Sequence, residues 1–404
     1  MWQQIRSNQV RSAVLVAGML LLLLLIGYFL GLAFLDNGIG GLVIALVVWV
    51  IMNLVAFFQG DNILLALSKA RKIERDDHPR LYNIVEEMKI ASGLEKMPDI
   101  YIIDDPAMNA FATGRDPKRA SVAVTSGLLQ KLNRDELQGV IGHELAHIKN
   151  RDVLLMALCS VLLGTIVILA YYATYMLFFS SMTGGRRSSS GGGGSAQVII
   201  LLVGIVLMIL APILARLIYF AISRKREYLA DASSALYTRY PEGLASALEK
   251  LGGSTVELKS ANKATAPMYI MNPFRQKGKP ATDLSSTHPP ISERVRILRS
   301  MSGGVSLADY DEAYRQFHKG GGGVIAPAAI AAAGVVGLRA AGPEAAPVEP
   351  EPSKLERTRE VSDLMWRKSN YRTISCDCGT KLKVPPNLKR ANVKCPHCGR
   401  IHPL

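Results

Sequence analysis

Arg134-Asp135-Glu136-Leu137-Gln138-Gly139-Val140-Ile141-Gly142-His143-Glu144-Leu145-Ala146-His147 is the stretch on which the reading of this chain turns. It contains no proline, and its acidic residues stand in the first turn, where a helix dipole favours them. It ends in the pattern H-E-x-x-H. Residues four apart on a helix face the same way, so His143 and His147 can reach one metal ion. Glu144 then stands beside the metal as a general base for a bound water. Taken alone, the pentapeptide also fits two surface histidines flanking a solvated glutamate.

A catalytic zinc needs a third protein ligand and an open position. The best candidate is Glu227, in Glu227-Tyr228-Leu229-Ala230-Asp231. Glu227 and Asp231 share a helix face, which suits a ligand and a carboxylate that orients a zinc histidine. An ordinary solvated helix, with Arg224 and Arg226 as ion-pair partners, fits the same residues.

The 404 residues are 49% hydrophobic and 20% charged, which excludes a disordered chain, a collagen and a small disulfide scaffold. Mean hydropathy is +0.19 because apolar residues gather in long runs. Runs at about 12–35 and 41–58 form a hairpin around Asp36–Gly40, and runs at about 153–179 and 196–222 form a second. Each is near the ~20 residues needed to span a bilayer. The first lacks the cleavage site of a signal peptide. The second pair would also fit a buried hairpin in a soluble domain. Arg6, Arg11, Lys69, Arg71, Lys72 and Arg224–Arg226 flank the runs on one side, against Arg186 and Arg187 on the other. The positive-inside rule therefore predicts cytoplasmic termini and a cytoplasmic segment 60–152. The formal charge of +14 is consistent with that arrangement.

Between the hairpins the pattern predicts a small α+β unit. It has a helix over 61–93, strands over 98–103, 109–114 and 120–125, and a helix starting at 126. Beyond the second hairpin, helices are expected over 224–251 and 290–301, with a loop-rich stretch over 252–283. Residues 320–365 are Gly-, Ala- and Pro-rich and read as a flexible linker. Within them 324–338 is apolar but contains Pro327, which weighs against a fifth span. The tail, 366–404, holds Cys376-Asp377-Cys378-Gly379 and Cys395-Pro396-His397-Cys398-Gly399. Such knuckles predict a zinc ribbon closed by Cys376, Cys378, Cys395 and Cys398, although the first knuckle is one residue shorter than usual. His397 and His402 are substitute ligands of lower rank. Cys159 reads as packing sulfur.

The ordered motifs Asn109–Gly114, Val122–Leu129, His143–His147, Glu227–Asp231 and Thr287-His288-Pro289 with Arg294 resemble the HtpX family of integral-membrane zinc metalloproteases. That family is related to the CAAX prenyl proteases. The resemblance covers roughly residues 1–300; the cysteine-bearing tail departs from it. It implies a multi-pass α-helical membrane protein with a cytoplasmic α+β, zincin-like (gluzincin) metallopeptidase domain, to which a small zinc ribbon is appended. In this organisation 1–59 is a membrane hairpin, 60–319 is the peptidase interrupted by the second hairpin, 320–365 is linker and 366–404 is ribbon.

By the same resemblance, His143, His147 and Glu227 bind a catalytic zinc and Glu144 activates water. Asp231 orients a ligand, His288 stabilises the oxyanion and Arg294 braces the site. Asn109, Ala110, Phe111 and Ala112 form the edge strand for an extended polypeptide. The implied role is hydrolysis of misfolded or damaged proteins, membrane proteins included, at the cytoplasmic face of a bacterial or archaeal plasma membrane. Apart from the resemblance, the cysteine knuckles of the tail predict a second, structural zinc. The ribbon and its flank, with nine Lys/Arg from Arg367 on against Asp377, suit headgroups, the enzyme itself or substrate rather than nucleic acid. The competing readings are a non-catalytic membrane adaptor recruiting partners through the ribbon, and a narrow-specificity CAAX-type peptidase, against which four spans argue.

Overall fold

The computed structural model describes residues 2–153, 171, 213, 224–259, 266–273, 288–301, 305–318, 323–325, 327–331, 337–339, 351–388 and 392–403. The second pair of apolar runs, and the Gly/Ser-rich loop joining them, lie almost wholly outside the described residues.

The chain opens with α1 (Trp2–Leu35) and α2 (Gly38–Leu67), joined by a two-residue turn in which Asp36 takes a positive φ of 49°. Asn37 closes the turn: its N–H donates to the Gly31 carbonyl at 3.1 Å and its side chain caps Gly40 N at 3.0 Å. The two helices touch through glycine. A Cβ on Gly41 would lie 2.1 Å from the Gly27 carbonyl oxygen and 2.6 Å from Gly31 Cα. Small residues permit this backbone approach, which is how helices associate where water supplies no hydrophobic drive. Among the described residues, α2 is long and apolar enough to cross a bilayer. It starts three residues earlier and ends nine later than the run expected at 41–58.

A four-stranded sheet follows, with β1 (Arg71–Ile73), β2 (Asp99–Ile103), β3 (Ala110–Gly114) and β4 (Ala120–Thr125) in the order β1-β2-β4-β3. β2 and β4 are parallel; the other pairs are antiparallel, and β3 lies at an edge. The single helix expected over 61–93 is corrected: α2 ends at Leu67, β1 intervenes, and α3 spans Pro79–Ser92. The break has local causes. Lys69 takes a positive φ of 53°, and Pro79 opens α3 behind a His78 cap.

α4 (Ser126–Lys131) and α5 (Arg134–Lys149) follow. α5 begins with a capping box between Asn133 and Glu136 and is buried along most of its length. It packs on the sheet, on α3 and on the later α7 (Pro241–Gly253). Gly139 makes the last contact possible, since a Cβ there would come 2.6 Å from Leu244 N. The helix expected over 224–251 is two helices, α6 over 224–238 and α7. Arg239 takes a positive φ of 54° and Pro241 starts the new helix.

α8 (Ile291–Arg299) lies within the segment expected to be helical, while α9 (Leu307–Phe317) was not anticipated. Val324 and Ile325 join the main core, and α10 (Pro327–Ala331) follows them. The linker reading is corrected at its C-terminal end. α11 (Lys354–Lys368) has its own capping box, Ser353 with Glu356, and buries Val361, Leu364 and Met365 in the peptidase core. Arg80 and His78 approach Glu360 at 3.8 and 3.6 Å, and Lys368 pairs with Asp77 at 2.6 Å. Two hairpins end the chain, β5 (Arg372–Ser375) with β6 (Lys381–Val384), and β7 (Asn392–Lys394) with β8 (Ile401–Pro403).

Candidate metal centre

α5 and α6 meet so that three donors converge. His143 Nε2 and His147 Nε2 are 3.2 Å apart. Glu227 places Oε2 at 3.6 Å from the first and Oε1 at 3.5 Å from the second. Ligands held tetrahedrally at ~2.0–2.1 Å from a zinc ion stand roughly 3.3–3.4 Å from one another. The donor set, two imidazoles and one carboxylate, and its spacing therefore fit zinc. His143 and Glu227 are buried, and Glu144 is buried beside them with its Oε1 lacking a hydrogen-bond partner. A carboxylate oxygen kept out of water without a partner is costly, and a cation or a reacting water beside it removes the cost.

Each ligand is held from behind. Asp231, one turn beyond Glu227 on α6, meets His143 Nδ1 at 3.0 Å. Arg294 on α8 clamps Asp231 with two bonds of 2.8 and 2.7 Å and approaches Glu227 at 3.3 Å. Arg294 is wholly buried, so its charge is acceptable only because these carboxylates surround it. His288 is buried with Nε2 3.9 Å from Glu227 Oε1. Sequence reading missed Asp152, whose Oδ2 lies 3.3 Å from His147 Nδ1 and whose Oδ1 lies 3.4 Å from Arg226. Its signal was an acidic residue just past the end of α5. Arg226, an ion-pair partner in the solvated-helix alternative, is buried.

The titration behaviour follows from burial and pairing. Burial raises Glu144 above the ordinary carboxylate range. Burial opposes ionisation of Glu227 and Asp231 too, but His288, His143, His147 and Arg294 hold Glu227 well below its usual value, and Arg294 with His143 lowers Asp231. Burial disfavours charge on both histidines of α5, yet the carboxylates prevail: His143 is raised, and Asp152 with Glu227 lifts His147 to about 10. His288 is pushed by burial to about 4 and is neutral at pH 7. Two imidazoles that attract a proton this strongly are equally placed to attract a metal cation.

The edge strand beside the site is partly occupied. Ile270 N–H donates to the Ala110 carbonyl at 2.9 Å, and the Asn109 side chain exchanges bonds with the Met271 backbone at 2.9 and 3.3 Å. Phe111 points into a cluster with Leu64, Leu65 and Tyr269. Of the four residues expected to face substrate, Asn109 and Ala110 are thus already bonded within the chain, and Phe111 is core. Ala112 is the member nearest the chemistry, its backbone hydrogen-bonding toward Glu144.

A second donor cluster lies in the tail. Cys376 Sγ is 3.4 Å from Cys398 Sγ, and Cys378 Sγ is 3.7 Å from Cys395 Sγ. All four sulfurs lie within 4.8 Å of one another. Gly379 and Gly399 turn the knuckles at φ of 81° and 78°, where a side chain would be strained. The short first knuckle closes because Cys376 N–H is held by the Thr380 carbonyl across its mouth.

Two histidines one turn apart, a glutamate from a second helix and a desolvated carboxylate between them define a zinc metalloprotease, and α2 supplies its apolar helix. A model of Peptidase family M48 matches residues 75–302. The chain is 43% identical over 307 residues to a protein named Protease HtpX homolog from Dictyoglomus turgidum, covering 74% of this chain and 94% of that one. A Protease HtpX homolog from Streptococcus pneumoniae is 43% identical over 301 residues, 74% of this chain and all of the relative. Among solved structures, Ste24p of S. mikatae is a distant likeness, with TM-score 0.37 and 18% identity over 73% of this chain and 66% of that one. The chain belongs to peptidase family M48 and is a membrane-bound zinc metalloprotease.

Proposed function

We propose that this protein is an endopeptidase of broad specificity, cleaving misfolded or damaged polypeptides, membrane proteins among them, at the cytoplasmic face of the cell membrane. Four spans with both termini in the cytoplasm belong to this reading; along the sequence, α5 precedes the third apolar run and α6 follows the fourth. A structural zinc in the Cys376, Cys378, Cys395 and Cys398 cluster belongs to the same reading.

His143, His147 and Glu227 would hold the catalytic zinc, which supplies Lewis acidity and lowers the pKa of water when bound. Glu144 takes the proton from the attacking water at its carboxylate and passes it to the leaving nitrogen. Its raised pKa suits both halves of that transfer. Neutral His288 donates an N–H toward the oxyanion that forms at the attacked carbonyl. Asp231 and Asp152 fix the two ligand imidazoles through their Nδ1–H groups, and Arg294 keeps Asp231 and Glu227 in place. Ala112 and the strand beyond it align the polypeptide.

The observation that carries this reading is the buried, unpartnered Glu144 Oε1 beside three convergent donors. A non-catalytic adaptor has no use for so costly a group. The test is casein proteolysis by detergent-purified, zinc-loaded wild type and Glu144→Gln. Wild type should cleave, and Glu144→Gln should fall by at least about 10²–10⁴-fold with its zinc retained. Equal cleavage by both would remove Glu144 from the mechanism. Absence of cleavage by either, with zinc bound, would favour the adaptor or the narrow-specificity reading.

A further inference from the structure

β3 runs beside the last turns of α2 in a defined sense. Arg115, just past β3, lies over the Phe57 and Phe58 rings at 5.5 and 5.6 Å, while Phe111 packs with Leu64 and Leu65. The exposed large apolar residues of α2 run from Ile39 to Phe58, with Leu67 apart from them at its end. The Gly114 end of the strand therefore faces the bilayer, and the Asn109 end faces away from it. A polypeptide drawn from the membrane along β3 passes Glu144 near Ala112 and beyond it leaves the sheet edge, which Ile270 and Met271 occupy at Ala110 and Asn109.

Two adjoining cavities open at that end, of about 330 and 520 Å³, sharing Met108 and residues 253–256. The first has one carboxylate in its lining, Glu257. The second is lined by Lys131, Lys250, Lys354 and Arg357 and by no acidic side chain. Lys250 is matched by Glu136 at 2.7 Å and Arg357 by Glu351 at 3.5 Å. Lys131 and Lys354 have no ion-pair partner among the described residues. Two cations without an acidic partner among the described residues favour anions in a cavity. Lys354 and Arg357 come from α11, beyond the residues matched to the family model, so the C-terminal extension completes this wall.

We propose that the basic cavity is a substrate subsite that takes carboxylates of the polypeptide on the membrane-distal side of the cleaved bond. This rests on the peptidase reading. Ala112 and Met108 are four residues apart, roughly 13 Å of extended chain, so the carboxylate lies about four residues from that bond. Either an Asp/Glu side chain or a free chain terminus offers this chemistry.

The test uses zinc-loaded full-length protein and quenched fluorescent peptides with one common centre. Four residues out, on either side, they carry Glu-Glu, Gln-Gln or Lys-Lys, or end there with a free or amidated terminus. On one side only, Glu-Glu should exceed Gln-Gln in kcat/KM by about three- to tenfold, and more at low salt. The double variant Lys131→Glu/Lys354→Glu should invert the order in favour of Lys-Lys, which a merely structural role would not produce. A gain confined to the free terminus supports the cavity with chain ends as its ligand. Equal rates for Glu-Glu and Gln-Gln with no gain from a free terminus, or an order unchanged in the double variant, overturn the proposal. If no peptide is cleaved although zinc is bound, the broad-specificity reading fails. Anisotropy of labelled Glu-Glu peptide on Glu144→Gln then reads the cavity alone: binding lost in the Lys131→Glu/Lys354→Glu background supports it, and no binding overturns it.

Discussion

His143 sits at the centre of a buried array in which nearly every charge has an opposite one in contact. Its Nδ1 faces Asp231, Asp231 faces Arg294, and Arg294 also faces Glu227. Asp231→Asn removes the charge that orients His143 and should weaken zinc binding about 10–100-fold, read by competition with a chelator. His78 illustrates burial that outweighs pairing: Glu360 lies 3.6 Å from its Nδ1, yet burial dominates. It caps α3 through Nδ1, its Nε2 is buried without a hydrogen-bond partner, and burial pushes its pKa to about 4. A depressed histidine pKa means that the unfolded chain binds the proton first. Its contribution is complete above about pH 6.5 and is lost as pH falls toward 4, on the order of 3 kcal/mol in all. His78→Asn keeps a capping side chain but cannot titrate there. Thermal unfolding from pH 7 to 4 should therefore fall less steeply for the variant than for wild type.

Among the elements, the α1–α2 hairpin depends on a backbone approach that only glycine allows. Gly41→Leu must push against the Gly27 and Gly31 backbones, which cannot yield as a flexible side chain would. The expected cost is roughly 1–3 kcal/mol, seen as a lower Tm in detergent. Gly18→Ala, where a Cβ meets nothing within 4 Å, should leave Tm unchanged. Elements differ in how plainly they are written in the chain. β3, β4 and α5 follow from local pattern, since alternation, caps and the H-E-x-x-H spacing all act within a few residues. β1 was read as helix because three residues show no period, and Ile73 is apolar under either reading. The linker expectation over 320–365 follows from composition, while the Ser353–Glu356 capping box is a local signal for α11 that composition does not register. Its helix is settled by burial of Val361, Leu364 and Met365 against the peptidase.

At the scale of the whole molecule, the peptidase and the cysteine cluster are separate packing units, since Cys376, Cys395 and Leu382 form their own small core. Cys395→Ser/Cys398→Ser should accordingly lower zinc content from about two ions per chain to about one while casein cleavage persists. Loss of both ions together would show instead that the tail and the peptidase fold as one unit. The sequence by itself determined the chemistry: two imidazoles one turn apart, a carboxylate between them, a carboxylate on a second helix and four paired cysteines. These depend on residue type and on spacing within single elements. Only the tertiary structure decided that Asp152 backs His147, that Ile270 and Met271 close half of the edge strand, and that α11 completes a basic cavity at its far end. Those contacts join residues up to some 250 positions apart, such as Lys354 and Met108. No periodicity or spacing along a chain records which distant surfaces come together once the apolar faces are buried.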